Sequence, residues 1–217
     1  MFDLLETGSE AEGLDYIGER GERIIERKLK WVRIFTGDGL MLRKVNIPKE
    51  GGNAAQVGLV FITRIGIFVI ESKDYEGCIF GNEEQLYWSA EIITGINRFG
   101  RYQVKDNRFY NPIMQNKSNI GDLRKFLNLS ANVPFYSITV FSDSCMLKNI
   151  ERSKDTDAIL CQVFQLGPTL RYGIKKKEKI LDEGEAMAIY KKLLPHSEDW
   201  RDEMARQIRE INSKLGV

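Results

Sequence analysis

Histidine is almost absent: His196 is the single one in 217 residues. A Ser-His-Asp or Cys-His nucleophilic mechanism is thereby removed, unless His196 itself supplies the base from the C-terminal region. A zinc centre is disfavoured for the same reason, since no cysteine pair has ligand spacing either. Cysteine is sparse too. Cys78, Cys145 and Cys161 are odd in number and widely spaced, which suits reduced thiols in a cytoplasm rather than a disulfide framework. No run of about 18 apolar residues is present to cross a bilayer as a helix. The first residues, Met1-Phe2-Asp3-Leu4-Leu5-Glu6, are acidic and lack the apolar core of a secretory leader. Net charge is close to nil: 32 Lys and Arg against 31 Asp and Glu leave +1. A global basic field is missing, and overall charge neither supports nor excludes a nucleic-acid partner. Basic groups gather only locally, in Lys175-Lys176-Lys177 and in the scatter Arg98, Arg101, Lys105, Arg108. Internal repeats and low-complexity segments are absent as well.

What remains is ample for a full core: 42% hydrophobic and 29% charged residues. Residues from Glu10 to Ile34 read as a helix, with Ile17, Ile24, Ile25, Lys28 and Leu29 in a 3.6-residue stripe. Leu40 to Ile47 alternates as a strand closed by Pro48. Two strands, Ala55 to Arg64 and Gly66 to Lys73, follow so closely that they form an antiparallel hairpin. Ile79–Phe80 and Gln85–Ser89 read as two short strands. Asn111-Pro112 opens a helix to Leu127, with Asn as cap and Pro at the first helical position. Phe135 to Phe141 is a further core strand, Ala158 to Phe164 a weaker one, and two helical pieces broken at Pro195 finish the chain. This order describes an α/β fold, a mixed β-sheet flanked by helices.

The chemistry concentrates at Glu71-Ser72-Lys73. Two residues apart on a strand, the carboxylate and the ammonium point to the same face. An anionic metal ligand beside a cation is what phosphodiester hydrolysis needs, although a strand-end ion pair of no catalytic consequence has the same sequence. Four motifs then stand in order: Gly18-Glu19-Arg20-Gly21-Glu22, Gln56-Val57-Gly58, Glu71-Ser72-Lys73-Asp74-Tyr75-Glu76-Gly77 and Asn111-Pro112-Ile113-Met114-Gln115. Together, from about Gly18 to Ser142, they resemble the nuclease-related domain, NERD, of the PD-(D/E)XK nuclease superfamily.

The resemblance implies a restriction-endonuclease-like core and a cytoplasmic DNA endonuclease dependent on Mg²⁺ or Mn²⁺. It implies catalytic roles for Glu22, Glu71, Lys73 and Gln115, with the metal held by Glu71, Glu22 and the backbone carbonyl of Ser72. It also places a nuclease domain over residues 1–170 and a C-terminal helical extension over 171–217. One position departs. Where the family has Gln-Ile-Asp, this chain has Gln56-Val57-Gly58, and no Asp or Glu lies between Asn53 and Thr63 to replace the lost carboxylate. Glu50 precedes that strand, and Asp74 should face away from Lys73. The expected consequence is a nuclease weakened or inactivated by Gly58. The alternative is a non-catalytic nucleic-acid-binding or adaptor module on a degenerate nuclease fold. Trp88 reads as a core or edge aromatic. A third possibility is a docking role for the helix from Trp200, whose stripe is Ile208, Ile211 and Leu215.

Overall fold

A computed structural model describes the backbone of residues 8–49 and 54–215, and side chains within 21–209 of that span. Ile17, Glu50, Ile211 and Leu215, named above, lie outside the described side chains, as do the first seven residues.

Helix α1 (Gly8–Thr36) leads into β1 (Leu40–Pro48), β2 (Ala54–Thr63) and β3 (Gly66–Lys73). Then come β4 (Gly77–Asn82), β5 (Tyr87–Ile96), β6 (Tyr102–Tyr110) and α2 (Pro112–Leu127). β7 (Phe135–Phe141), β8 (Cys145–Glu151) and β9 (Ile159–Gln162) precede α3 (Val163–Lys176), α4 (Glu183–Leu193), a short 3₁₀ turn and α5 (Trp200–Leu215). The strands form two mixed sheets rather than one. The larger has the order β1-β2-β3-β7-β9, so β3 is its central strand; the smaller has the order β6-β5-β4-β8.

The larger sheet is buried on both faces, which is why β2 and β3 read as near-continuous apolar runs. On one face α1 brings Ile25, Leu29 and Val32, at helical spacing, against Leu59, Phe68, Ile70 and Ile138. α3 covers the same face with Leu166, Leu170 and Ile174. On the opposite face α2 and α4 set Leu123, Leu127, Ile189 and Leu193 against Val57, Val60, Ile67 and Val69. Each such fully buried aliphatic side chain contributes about 1.5–3 kcal/mol of transfer free energy.

Three differences from the sequence reading have physical causes. β5 and β6 are long, paired from Tyr87–Tyr110 to Ile96–Tyr102, where only Gln85–Ser89 was expected. Most of the hairpin is solvated on both faces, so no apolar period marks it. β8 lacks an apolar period for the same reason and is held by parallel pairing to β4. α3 carries Gly167, Pro168 and Gly173, all helix breakers, yet Val163, Leu166, Leu170 and Ile174 form a buried stripe that overrides them. The division expected at residue 170 falls within α3.

The β1–β2 hairpin also has an irregularity. Arg43 pairs with Leu59 and Val45 with Val57, but between them Lys44 adopts a left-handed φ of 43° opposite Gly58. Leu42, Val45, Val57 and Val60 nevertheless all belong to the α2 face, so the alternation of both strands shifts phase at this pair.

Candidate active site

β2 and β3 stay paired until Leu59 meets Ile70; the next two positions, Gly58 and Glu71, sit where the strands part. β3 continues, held by β7 as far as Lys73–Phe141. A notch therefore opens at the C-terminal end of the central strand. Peptide groups alternate sides along a strand. Ile67 donates to Pro134 and Lys73 accepts from Ser142, so odd-numbered groups of β3 serve the β7 side. The Ser72 carbonyl, of opposite parity, turns toward the side β2 has vacated.

Helix α1 closes the notch from one side, and Gly21 lets it come near. A Cβ at Gly21 would lie 3.0 Å from Ser72 Oγ and 3.4 Å from Asp74 Cβ. With hydrogen there instead, the helix rests against the end of β3 and the next residue, Glu22, reaches in. A Cβ at Gly58 would stand 3.6 Å from Glu22 Oε1, 4.0 Å from Glu71 Oε2 and 3.5 Å from the Ile70 carbonyl oxygen. Those are ordinary van der Waals distances, and Gly58 has no left-handed φ. Neither backbone conformation nor crowding demands glycine at this position. Its absent side chain leaves a gap between two carboxylates.

Glu71 and Lys73 share a face, as two residues on one strand should: Lys73 Nζ donates to Glu71 Oε1 at 2.9 Å. The ammonium also donates to Gln115 Oε1 at 3.1 Å. Gln115 sits at the start of α2, which Asn111 fixes. The Asn111 Oδ1 accepts from the N–H groups of Ile113 and Met114, and its Nδ2 donates to the carbonyls of Asn82, Glu83 and Gln85. Glu22, Gly58, Glu71, Lys73 and Gln115 are thus brought together, although Glu22 and Gln115 come from opposite layers of the fold.

Burial raises the Glu22 carboxyl to about 6; Lys44 opposes that rise, and Glu71 adds to it. Tyr75 is raised too, first by burial and then by the Glu71 charge. Lys44 carried no mark in the sequence; its nearness to the notch shows in its left-handed place opposite Gly58 and in the effect of its charge on Glu22.

Among the described residues, no three His, Cys, Asp or Glu side chains converge as a metal-binding group. Two carboxylates and one main-chain carbonyl are nevertheless hard oxygen donors of the type Mg²⁺ takes while keeping several waters. The gap at Gly58 is where a third carboxylate would complete the set. As oxygen donors these groups suit a hard cation.

Other residues considered from sequence lie elsewhere. His196 packs edge-on against Phe126, ring centres 4.9 Å apart, and stands apart from the hydrogen-bonded site. Trp88 is core, its Nε1 donating to the Asn82 carbonyl. Burial, together with the negative Asp143 carboxylate, pushes the Cys145 and Cys161 thiols up to about 11, where they stay protonated and unreactive. Lys175 and Lys176 are exposed in the last turn of α3, and Lys177 lies over the Tyr136 ring at 4.1 Å.

The family model of the nuclease-related domain matches residues 17–142, more than half of the chain and all of the site. An uncharacterized protein of Bacillus anthracis is 29% identical over 133 residues, covering 61% of this chain. The chain spans only 56% of that relative's length. No solved structure matches.

Proposed function

Because the chain belongs to the nuclease-related domain family, we propose that it is a metal-dependent DNA endonuclease core disarmed at Gly58. The observation that carries this reading is the notch. Glu22 and Glu71 flank a position where a side chain would fit without strain, while Lys73 is held alongside by Gln115.

Glu22, Glu71 and the Ser72 carbonyl are the groups that would hold Mg²⁺ or Mn²⁺, which when bound supplies charge stabilisation at the phosphate and acidifies a water. The remaining roles belong to the chain itself. Lys73, fixed between two oxygen acceptors, is a preorganised cation for the scissile phosphate or the attacking water. Gln115 keeps that ammonium from folding wholly onto Glu71. Glu22, with its carboxyl near 6, holds a proton readily when no cation is present.

A second reading has an observation of its own. The Glu71–Lys73 ion pair satisfies both charges within the chain, so the notch could persist as a stable relic on a nucleic-acid-binding module. That module would bind DNA in a salt-sensitive way, without metal dependence.

Cleavage of supercoiled plasmid separates the two. The parent chain and Gly58→Asp are compared with Mg²⁺, Mn²⁺ and EDTA, with Lys73→Ala in the restored background as the control for contaminants. The restored form is expected to cut by orders of magnitude more, only with metal and only with Lys73. Equal, undetectable cutting by both across metal concentrations overturns the nuclease reading.

A further inference from the structure

The smaller sheet grows out of the notch. β4 opens directly after Lys73-Asp74-Tyr75-Glu76, and β6 ends at Tyr110, on the threshold of the helix that carries Gln115. Tyr75 stacks on Phe109 with ring centres 4.4 Å apart, binding the root of the β5–β6 hairpin to the site. The far end of the hairpin is exposed and apolar. Ile93 faces Val104, Ile96 faces Tyr102, and Phe99 caps the turn at 74% exposure. No described element covers these side chains, and a soluble protein rarely leaves so many together without a partner.

The charge indicates which partner. In a chain balanced almost to neutrality, the hairpin carries Arg98, Arg101, Lys105 and Arg108 against Glu91 and Asp106. The two carboxylates are cross-strand neighbours midway along it. Contacts to an anion therefore fall at the tip and at the root. At both places an arginine lies over an exposed ring: Arg98 over Phe99 at 5.0 Å and Arg108 over Tyr87 at 5.2 Å. Tyr87 also meets Tyr110 edge to face. Beside that root stack is an open cleft of about 420 Å³, where Ser89, Asn149 and the carboxylates of Asp106 and Glu151 present polar edges. The carboxylates in the cleft serve as acceptors for base amino groups rather than as partners of phosphate. Aromatic and guanidinium planes with polar edges beside them suit bases splayed from a single strand, while the arginines meet the phosphates. A lipid surface would use the apolar tip but leave the root stack and its cleft without a role.

We infer that the β5–β6 hairpin is an arm that grips a single-stranded stretch of nucleic acid and leads it to the Glu71–Lys73 notch. The choice of partner rests on the nuclease-related reading, but the test does not.

A fluorescent mixed-sequence single-stranded DNA is titrated with the full chain in EDTA, and anisotropy is followed over a range of salt. Arg98→Glu/Arg101→Glu should lower the slope of log affinity against log salt by about 1.4, as two lost phosphate contacts require. Phe99→Ala/Tyr102→Ala should weaken binding about tenfold or more. Both pairs are solvent-exposed, and matched thermal melts confirm that each variant is folded. Lys175→Glu/Lys176→Glu should leave binding unchanged. Binding that ignores the tip, or that an equal-length duplex competes for equally well, overturns the inference. So does sedimentation in which the tip variants only turn a dimer into monomers. Plasmid cutting by Gly58→Asp with tip-independent binding overturns the arm alone. Tip-dependent, salt-sensitive binding without cutting overturns catalysis and leaves the arm standing.

Discussion

At position 58 the molecule is lenient about size and strict about charge. Gly58→Ala adds one methyl at ordinary contact distance in extended backbone. It should raise stability by about 0.4–1 kcal/mol through the unfolded chain, measurable by urea denaturation. Gly58→Asp is different, since three carboxylates then share one notch. Without divalent cation its melting temperature should fall below that of Gly58→Ala, and the deficit should shrink when Mg²⁺ is added; an unchanged deficit means that the notch does not hold the ion. Glu22 predicts a pH effect of definite sign. Its folded carboxyl, near 6, lies above the ordinary 4.5, so the folded chain binds this proton more tightly than the unfolded chain. Glu22 therefore favours folding at low pH, and that advantage is lost as pH rises from about 4.5 through 6. Thermal melts of Glu22→Gln should lose this part of the pH dependence and gain stability at pH 8. In the sequence, Glu71, Lys73 and Gln115 were legible because strand parity and motif order locate them. Lys44 was not, because its relevance comes from a left-handed turn that shifts the phase of two strands at once.

Elements show the same mixture. Asn111 was legible as a helix cap, and it is one. Its other half was hidden: the side-chain amide serves three carbonyls of the β4–β5 turn, residues remote in sequence. Asn111→Ala should therefore cost about 3 kcal/mol in chemical denaturation, more than the usual loss of a cap. Asn111→Asp, ordinarily an equal cap, should fare no better, because a carboxylate would face three carbonyl oxygens. If Asp restored full stability, the carbonyl contacts would carry no weight. Core strands such as β7 were readable from burial on both faces. The β5–β6 hairpin and α3 were not, since pairing and tertiary packing override a weak or contrary local pattern.

At the scale of the whole molecule, the C-terminal part is fastened to the sheet beside the notch. Asp199 accepts from both the backbone N–H and the guanidinium of Arg43, and Glu198 N–H donates to the Arg43 carbonyl. With both side chains mostly buried, Asp199→Ala should cost about 2 kcal/mol by the loss of charge-assisted bonds. Calorimetry of the full chain checks this, and an unchanged melting temperature would show the clamp to be ornamental. No helix among the described residues is long and apolar enough to cross a membrane. The α/β layering was readable from element order; the count of sheets was not, because strand partners far apart in sequence leave no local mark.

The placement of the smaller sheet has a consequence for how the molecule comes into being. Lys73 and Gln115 are 42 positions apart, and nearly everything between them is that sheet. Their hydrogen bond closes a long loop, and such closures come late unless the intervening chain has already condensed. Pairing of β4, β5 and β6 shortens the path by which the ammonium reaches its Gln115 anchor. A chain in which that sheet has not condensed therefore lacks the restraint that aims Lys73. The aim of Lys73 at the notch is thus tied to the completion of a sheet that contributes no residue to the notch itself.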